Sequence, residues 1–235
     1  MNVVIDEGNS SIKIGFFQEN HLELVEHVIT IEEAKHVLSN YKYDFGILSS
    51  VKNIQVLKEN FPSFLSLSLK VKLPFQITYA TPETLGLDRI AAVAGMYACK
   101  KKDTASLVID IGTCITYELL KEDNSYPGGI ISPGINLRRK AMNNYTTNLP
   151  LVDRVQEIDL IGNSTTSAMQ SGVMNGITAE ITDMIRQFQK DYGVVEIFVC
   201  GGDAHIFETK IKEPIFVAQN LVLYGLNRIL RDNVI

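Results

Sequence analysis

One short pattern occurs twice in this chain and limits what the rest can fold into. Near the middle stands Ser106-Leu-Val-Ile-Asp-Ile-Gly-Thr-Cys-Ile-Thr-Tyr117, and near the N-terminus Val3-Val-Ile-Asp-Glu-Gly-Asn-Ser-Ser-Ile-Lys-Ile-Gly15. A shift of 104 positions lays Val4, Ile5, Asp6 and Gly8 on Val108, Ile109, Asp110 and Gly112, with polar Asn9 on Thr113. In each copy a branched apolar run suits a strand buried on both faces. The run stops at an acid, a glycine follows two residues later, and apolar or alternating residues return as a hairpin's second strand. An acid, a glycine and a hydroxyl at such a turn suit phosphate. Glycine admits a close backbone, N–H groups and hydroxyls donate to phosphate oxygens, and the acid handles the accompanying cation. The separation is close to half the chain, so the pattern reads as an internal duplication.

Composition agrees with two similar halves. A chain of 235 residues is one large or two small domains, with 46% apolar and 21% charged residues, as in ordinary globular proteins. A net charge of −5 offers no basic surface for nucleic acid, and no such partner is expected. Cys99, Cys114 and Cys200 are odd in number, far apart and without metal-ligand spacing, which suggests reduced thiols in a cytosolic protein. Cys114 adjoins the second turn with no His near it in sequence, and reads as small turn filler. His21, His27, His36 and His205 show no metal spacing either. Asp6 and Glu7 stand where a signal peptide needs basic and then apolar residues, and the longest apolar run, Ile90 to Cys99, is about half a membrane span. The expectation is a cytoplasmic protein with no membrane partner.

Periodicity places the remaining elements. Strands are predicted over 22–29, 43–50, 65–75, 128–134, 194–200 and 215–217. Helices are predicted over 31–38, 54–61, 87–101, 135–144, 164–191 and 221–230. Thr30 is a candidate N-cap with Glu32 and Glu33 in the first turn. Met169, Val173, Ile177, Ile181, Met184 and Phe188 form one apolar stripe of core residues. The stretch 145–161 reads largely as loop. Lys100 to Lys102 suit a helix C-terminus, and the domain boundary falls there: residues 1–102 form one domain and residues 103–235 the other.

A phosphate turn in each half, followed by alternating helices and strands, is similar to the plan of the actin-like ATPases. In that α/β plan two ribonuclease-H-like domains hold a nucleotide in the cleft between them. Gly201-Gly202 after a buried strand fits the place where such proteins let adenosine lie close to backbone. More specifically, Asp6-Glu-Gly-Asn-Ser-Ser-Ile-Lys13, Gly86-Leu-Asp-Arg89, Asp110-Ile-Gly-Thr113, Gly128-Gly-Ile-Ile-Ser-Pro-Gly134, Ser164-Thr165 with Ala168 and Gly172, and Gly201-Gly202 occur in one order. Together they resemble the type III pantothenate kinases, the family that also contains the Bvg accessory factor.

The resemblance implies ATP-dependent phosphorylation of pantothenate, the first step towards coenzyme A, by a homodimer needing Mg²⁺ and a monovalent cation, K⁺ or NH₄⁺. It places the nucleotide loop on Asp6, Glu7, Gly8, Asn9, Ser10, Ser11, Ile12 and Lys13, with Thr113 a further ATP contact. Substrate contacts fall on Tyr79, Gly86, Leu87, Asp88, Arg89 and Thr165. Asp88 matches the proton acceptor, Asp110 the monovalent-cation ligand, and Asp6 faces Mg²⁺ and the transferred phosphate. Read from the residues alone, Asp88 and Arg89 fit slightly better as a helix-start acid and a surface cation, Thr165 is a first-turn helix residue or cap, and Lys13 is either a phosphate ligand or a solvent-facing strand lysine. Four positions depart from the family pattern. Glu7 replaces an apolar residue beside the phosphate, Cys114 an alanine or threonine, Glu118 an aspartate, and Ser164 an asparagine. Two other readings stay open: another small-molecule kinase of the same fold, and a non-catalytic ATP-binding regulator.

Overall fold

The computed structural model describes residues 1–101 and 103–234. In chain order the first elements are β1 (Asn2–Glu7), β2 (Ile12–Gln18), β3 (His21–Val28), α1 (Ile31–Ser39), β4 (Phe45–Ser50), α2 (Ile54–Asn60), β5 (Leu65–Ser66), β6 (Gln76–Ile77) and α3 (Leu87–Cys99). Then follow β7 (Ala105–Ile111), β8 (Cys114–Leu120), β9 (Ser125–Tyr126), β10 (Gly128–Pro133), α4 (Ile135–Asn144) and α5 (Thr165–Tyr192). The chain ends with β11 (Val195–Cys200), the single turn α6 (Ala204–Phe207), β12 (Phe216–Val217) and α7 (Leu221–Val234).

These elements build two compact units, which are not the two contiguous halves drawn from the sequence. The first takes residues 1–101, 103, 120–128 and 220–234; the second takes 104–119 and 129–219. One crossing between units falls between residues 103 and 104, and Lys102 lies outside the described residues. The apolar stripe of α7 has its complement on α3, which draws the chain's last helix into the first unit. The 120–128 segment joins that unit because β9 pairs in parallel with β6.

In the first unit the sheet order is β3-β2-β1-β4-β5. β1 runs antiparallel to β2 and parallel to β4. One face is covered by α1 and α2, whose Ala34, Leu38 and Leu57 meet Val3, Ile5, Ile12, Ile14 and Leu48 in one buried cluster. The other face carries Val4 and packs against α7. α3 and α7 lie unusually close. A Cβ on Gly95 would collide with the backbone of Leu221, and one on Gly225 with the backbone of Ala91 and Gly95. Only two glycines facing each other let these helix backbones meet.

In the second unit the order is β10-β8-β7-β11-β12. Numbered within its own unit, each sheet therefore reads 3-2-1-4-5, the arrangement a duplication requires. α5 buries Val173, Ile177 and Ile181 of the expected stripe, joined by Met174 and Ile185, in one cluster with Leu107, Ile109, Val199 and Phe207, and Met169 of the stripe is buried as well.

Local signals explain most boundaries. Thr30 caps α1 through the Glu33 amide, and the Glu33 carboxylate returns to the Thr30 amide. Ser164 and Ser167 form the same reciprocal cap on α5, which ends at Gly193 with φ 73°. One expectation fails. The alternation over 65–75 predicts a strand, yet only Leu65–Ser66 pairs, and the chain turns where the Val71 amide donates to the Ser68 carbonyl at 3.3 Å. Leu67 is buried but Leu69 is exposed, so the alternation has no second apolar surface to satisfy. No described helix is long and apolar enough to cross a membrane.

Candidate active site

The first acidic turn is built at the end of β1. Asp6 has Lys13 of β2 and Ser49 of β4 as its register neighbours, and partners in register share a sheet face. Ser49 is fully buried and its hydroxyl has no hydrogen-bond partner among the described residues. No motif of the sequence assigns Ser49 a role. Its signal is a hydroxyl in an otherwise apolar strand, beside the acid.

Glu7, one residue on, points to the opposite face by strand alternation. There its carboxylate accepts from Ser50 Oγ at 2.6 Å and lies 3.7 Å from Lys52 Nζ. The departure from the family pattern at Glu7 is thus met by a hydroxyl and a cation of β4 and the turn after it. Ile12 is 1% exposed and its side chain belongs to the core, leaving only its main chain for any ligand. Asn9 and Ser10 are exposed, and the Gly8 amide donates to the Ser11 carbonyl at 3.0 Å.

Gly8 and Gly112 occupy equivalent places in their turns, and neither has a positive φ. A Cβ on Gly8 would come no closer than 3.5 Å to Ser11 O, and one on Gly112 no closer than 3.6 Å to Asp110. Internal sterics therefore ask for glycine at neither position. Its remaining use there is to let something outside the turn approach the main chain closely.

The Gly86–Arg89 segment starts α3. Gly86 is the N-cap, and a Cβ there would sit 2.5 Å from the Asp88 carboxylate, which bends back over the helix start. Asp88 is half-buried and accepts from the Arg89 amide at 2.9 Å. Acids are stabilised in a first helical turn by the helix dipole. Arg89 is 8% exposed, and its guanidinium lies 5.7 Å from the centre of the Tyr79 ring. The same ring is met by Gly128, whose φ of 115° excludes most side chains and whose Cβ would lie 2.5 Å from the Tyr79 ring. The structure thus brings together Tyr79, Arg89 and Gly128 from three separate sequence segments.

The second turn follows the same plan. Asp110 ends β7 one residue from its terminus, and the Gly112 amide donates to the Cys114 carbonyl at 2.9 Å, with Thr113 exposed at the tip. Two glycine segments close on this turn. Gly134 N–H donates to Thr113 O at 3.1 Å, and a Cβ on Gly134 would strike the carbonyls of Gly112 and Thr113. Gly201, with φ 96°, abuts Asp110 so closely that a Cβ would be 2.5 Å from its carboxylate. Gly129 lies against the Tyr117 carbonyl and the buried Glu118 carboxylate in the same manner. Thr165 is exposed at the first position of α5, after its Ser164 cap.

No group of three or more His, Cys, Asp or Glu residues able to hold a metal occurs among the described residues. Mg²⁺ with a nucleotide does not need one. It keeps several waters and takes one or two carboxylates together with phosphate oxygens, a donor set to which Asp6 can contribute a carboxylate.

Two sheets of one strand order, each with an acid and a bare glycine at the same turn, put the chain in the actin-like ATPase and sugar kinase fold class. A crystal structure of a conserved Campylobacter jejuni protein assigned to the Baf family of transcriptional activators matches with a TM-score of 0.66 and 22% identity, covering 98% of each chain. A glucokinase from an Antarctic psychrotroph matches with a TM-score of 0.53 and 12% identity over 98% of each chain. Sequence comparison narrows the class. The sequence model of the type III pantothenate kinase family matches residues 2–187. A type III pantothenate kinase of Cytophaga hutchinsonii is 39% identical, with all of both chains covered, and one of Christiangramia forsetii is 41% identical over 99% of each. The chain belongs to the type III pantothenate kinase family.

Proposed function

We propose that this protein transfers the γ-phosphoryl group of ATP to the primary hydroxyl of pantothenate, giving 4'-phosphopantothenate and ADP. The observation that carries the proposal is the chain-long similarity to type III pantothenate kinases, with Asp6, Asp88, Arg89 and Asp110 all present.

The residues supply what phosphoryl transfer asks of a protein, namely positioning and charge neutralisation, with an acid to accept the hydroxyl proton. Asp88 is the general base. Its carboxylate takes the proton as the hydroxyl oxygen bonds to the γ-phosphorus and the bond to the ADP oxygen breaks. Arg89, held against Tyr79, binds the substrate carboxylate through its planar fork of donors. Gly86, Leu87 and Thr165 complete the substrate contacts in this reading. The main chain around Gly8 and Gly112, with Asn9, Ser10, Ser11, Lys13 and Thr113, binds phosphate oxygens. Asp6 would hold the phosphate-bound Mg²⁺, which neutralises charge on the transferring group, and Asp110 a monovalent cation, K⁺ or NH₄⁺. A homodimer in the cytoplasm and the division into two ribonuclease-H-like domains belong to the same proposal.

The test is ADP release followed with pantothenate and with a panel of sugars and short hydroxy acids, in KCl and in NaCl. Turnover with pantothenate alone, higher in KCl, is expected. Turnover with another alcohol while pantothenate stays inert would replace the substrate, and no turnover with any alcohol despite ATP binding would replace the enzyme.

A further inference from the structure

Glu180 lies on α5, four turns beyond its cap, and no motif of the sequence points to it. Both of its carboxylate oxygens are engaged. Oε1 accepts from the hydroxyl of Tyr117, a fully buried β8 residue, at 3.0 Å. Oε2 is paired with Arg138 Nη2 on α4. The same guanidinium donates to the Pro133 carbonyl at 2.8 Å and to Ser132 Oγ at 3.0 Å. It therefore grips the turn that leads from β10 into α4. The next residue, Gly134, donates its amide to Thr113 and fits against Gly112 with no room for a side chain. Gly176, one helical turn before Glu180, leaves the helix surface low where Arg138 crosses it; a Cβ there would lie 3.8 Å from Nη1.

From these contacts we propose that Glu180 is a positioning residue for the second phosphate turn. Through Arg138 it fixes Pro133-Gly134, and through Gly134 it fixes the Gly112-Thr113 main chain, while Tyr117 anchors the strand leaving that turn. Charge-assisted contacts are the strong ones, and a charge partly shielded from water keeps more of its strength. Burial and the Glu180 charge together raise the Tyr117 pKa above its ordinary value, which keeps the phenol a donor. Glu180 touches no proposed ligand contact itself. The proposal rests on the reading in which the Asp110–Thr113 turn binds ATP.

The test is Glu180→Gln in the full-length protein, which keeps the size and a carbonyl for Tyr117 but removes the charge from Arg138. ATP affinity is measured by calorimetry without pantothenate, beside KM for each substrate, kcat and the melting temperature. Displaced outer-shell partners cost roughly 10–100-fold at metal sites, which sets the scale here. The ATP Kd and KM are expected to rise about tenfold, the lower end of that range, with the pantothenate KM within about twofold. Arg138→Lys, which loses the fork that reaches Pro133 and Glu180 together, is expected to give the same split and carries the test if Glu180→Gln does not fold. Unchanged ATP affinity in the variant overturns the proposal, as does an equal loss in both substrates that follows only the folded fraction. A wild type that turns over pantothenate but whose ATP affinity is indifferent to Thr113→Ala overturns the turn assignment instead.

Discussion

The same substitution, glycine to alanine within a helix, should have opposite effects at two positions. At Gly225 on α7 the added Cβ would lie 2.6 Å from Gly95 N and 2.9 Å from Ala91 C, and deeper still into the Ala91 carbonyl. All three atoms belong to the α3 backbone and cannot rotate aside. Carbon contacts are comfortable from roughly 3.5 Å, so the helices must separate by about 1 Å, which forfeits about a quarter to a half of the dispersion energy across the seam. Overpacking of this kind costs about 1–3 kcal/mol, and a backbone obstacle puts Gly225 at the upper end. Alanine returns about 1 kcal/mol of helix propensity, leaving a net loss of about 2 kcal/mol. For a chain of 235 residues that is a melting temperature lower by about 4–8 °C. At Gly172 on α5 a Cβ meets nothing within 4 Å. Only the propensity gain of about 1 kcal/mol remains there, worth about 2–4 °C upward. Differential scanning calorimetry of Gly225→Ala and Gly172→Ala decides the matter. A Gly225→Ala protein that melts at or above wild type, or a Gly172→Ala protein that falls as far as its counterpart, would refute the packing account.

Tyr117→Phe removes a hydrogen bond to a charged acceptor and should cost about 2 kcal/mol at pH 8. The folded-state pKa of Tyr117 is raised from 10.0 by burial and by Glu180, so its stabilisation is complete below pH 10.0 and declines as pH rises further. The gap in melting temperature between wild type and Tyr117→Phe should narrow between pH 9 and pH 11; a constant gap would show that the phenol does not titrate differently on unfolding. Glu7→Gln keeps the Ser50 bond, loses the attraction of Lys52, and should cost about 0.5–1 kcal/mol. Because Glu7 and Asp6 point to opposite faces, the Mg²⁺ concentration for half-maximal ADP formation should stay within about twofold. A larger shift would mean that the Glu7 charge reaches the nucleotide.

Much of this fold was legible in the sequence because its signals are local. The duplicated turn fixed the positions of β1 and β7, the Thr30 and Ser164 caps marked where α1 and α5 begin, and the stripe from Met169 to Ile181 identified the buried face of α5. What was not legible depends on distant partners. Nothing within 65–75 says that β4 offers only two residues for pairing, so the alternation there read as a longer strand. The place of α7 is set by Gly95 and Gly225, which fit only against each other and are 130 positions apart in sequence. The site divides in the same way. Asp6, Asp88 and Asp110 stand in recognisable segments, whereas the meeting of Tyr79 with Arg89 and Gly128 and the double engagement of Glu180 exist only once the chain has folded.

The chemistry proposed for Asp88 has a direct test. Asp88→Asn is nearly isosteric and can still accept from the Arg89 amide, so the start of α3 should survive and the melting temperature should change by only a few degrees. An amide does not take the hydroxyl proton. In a single-turnover experiment with saturating ATP, pantothenate and K⁺, the rate of phosphopantothenate formation is predicted to fall by about 10²–10⁴-fold, with pantothenate binding retained. A folded Asp88→Asn protein that forms product at the wild-type rate would contradict the assignment of Asp88 as the base.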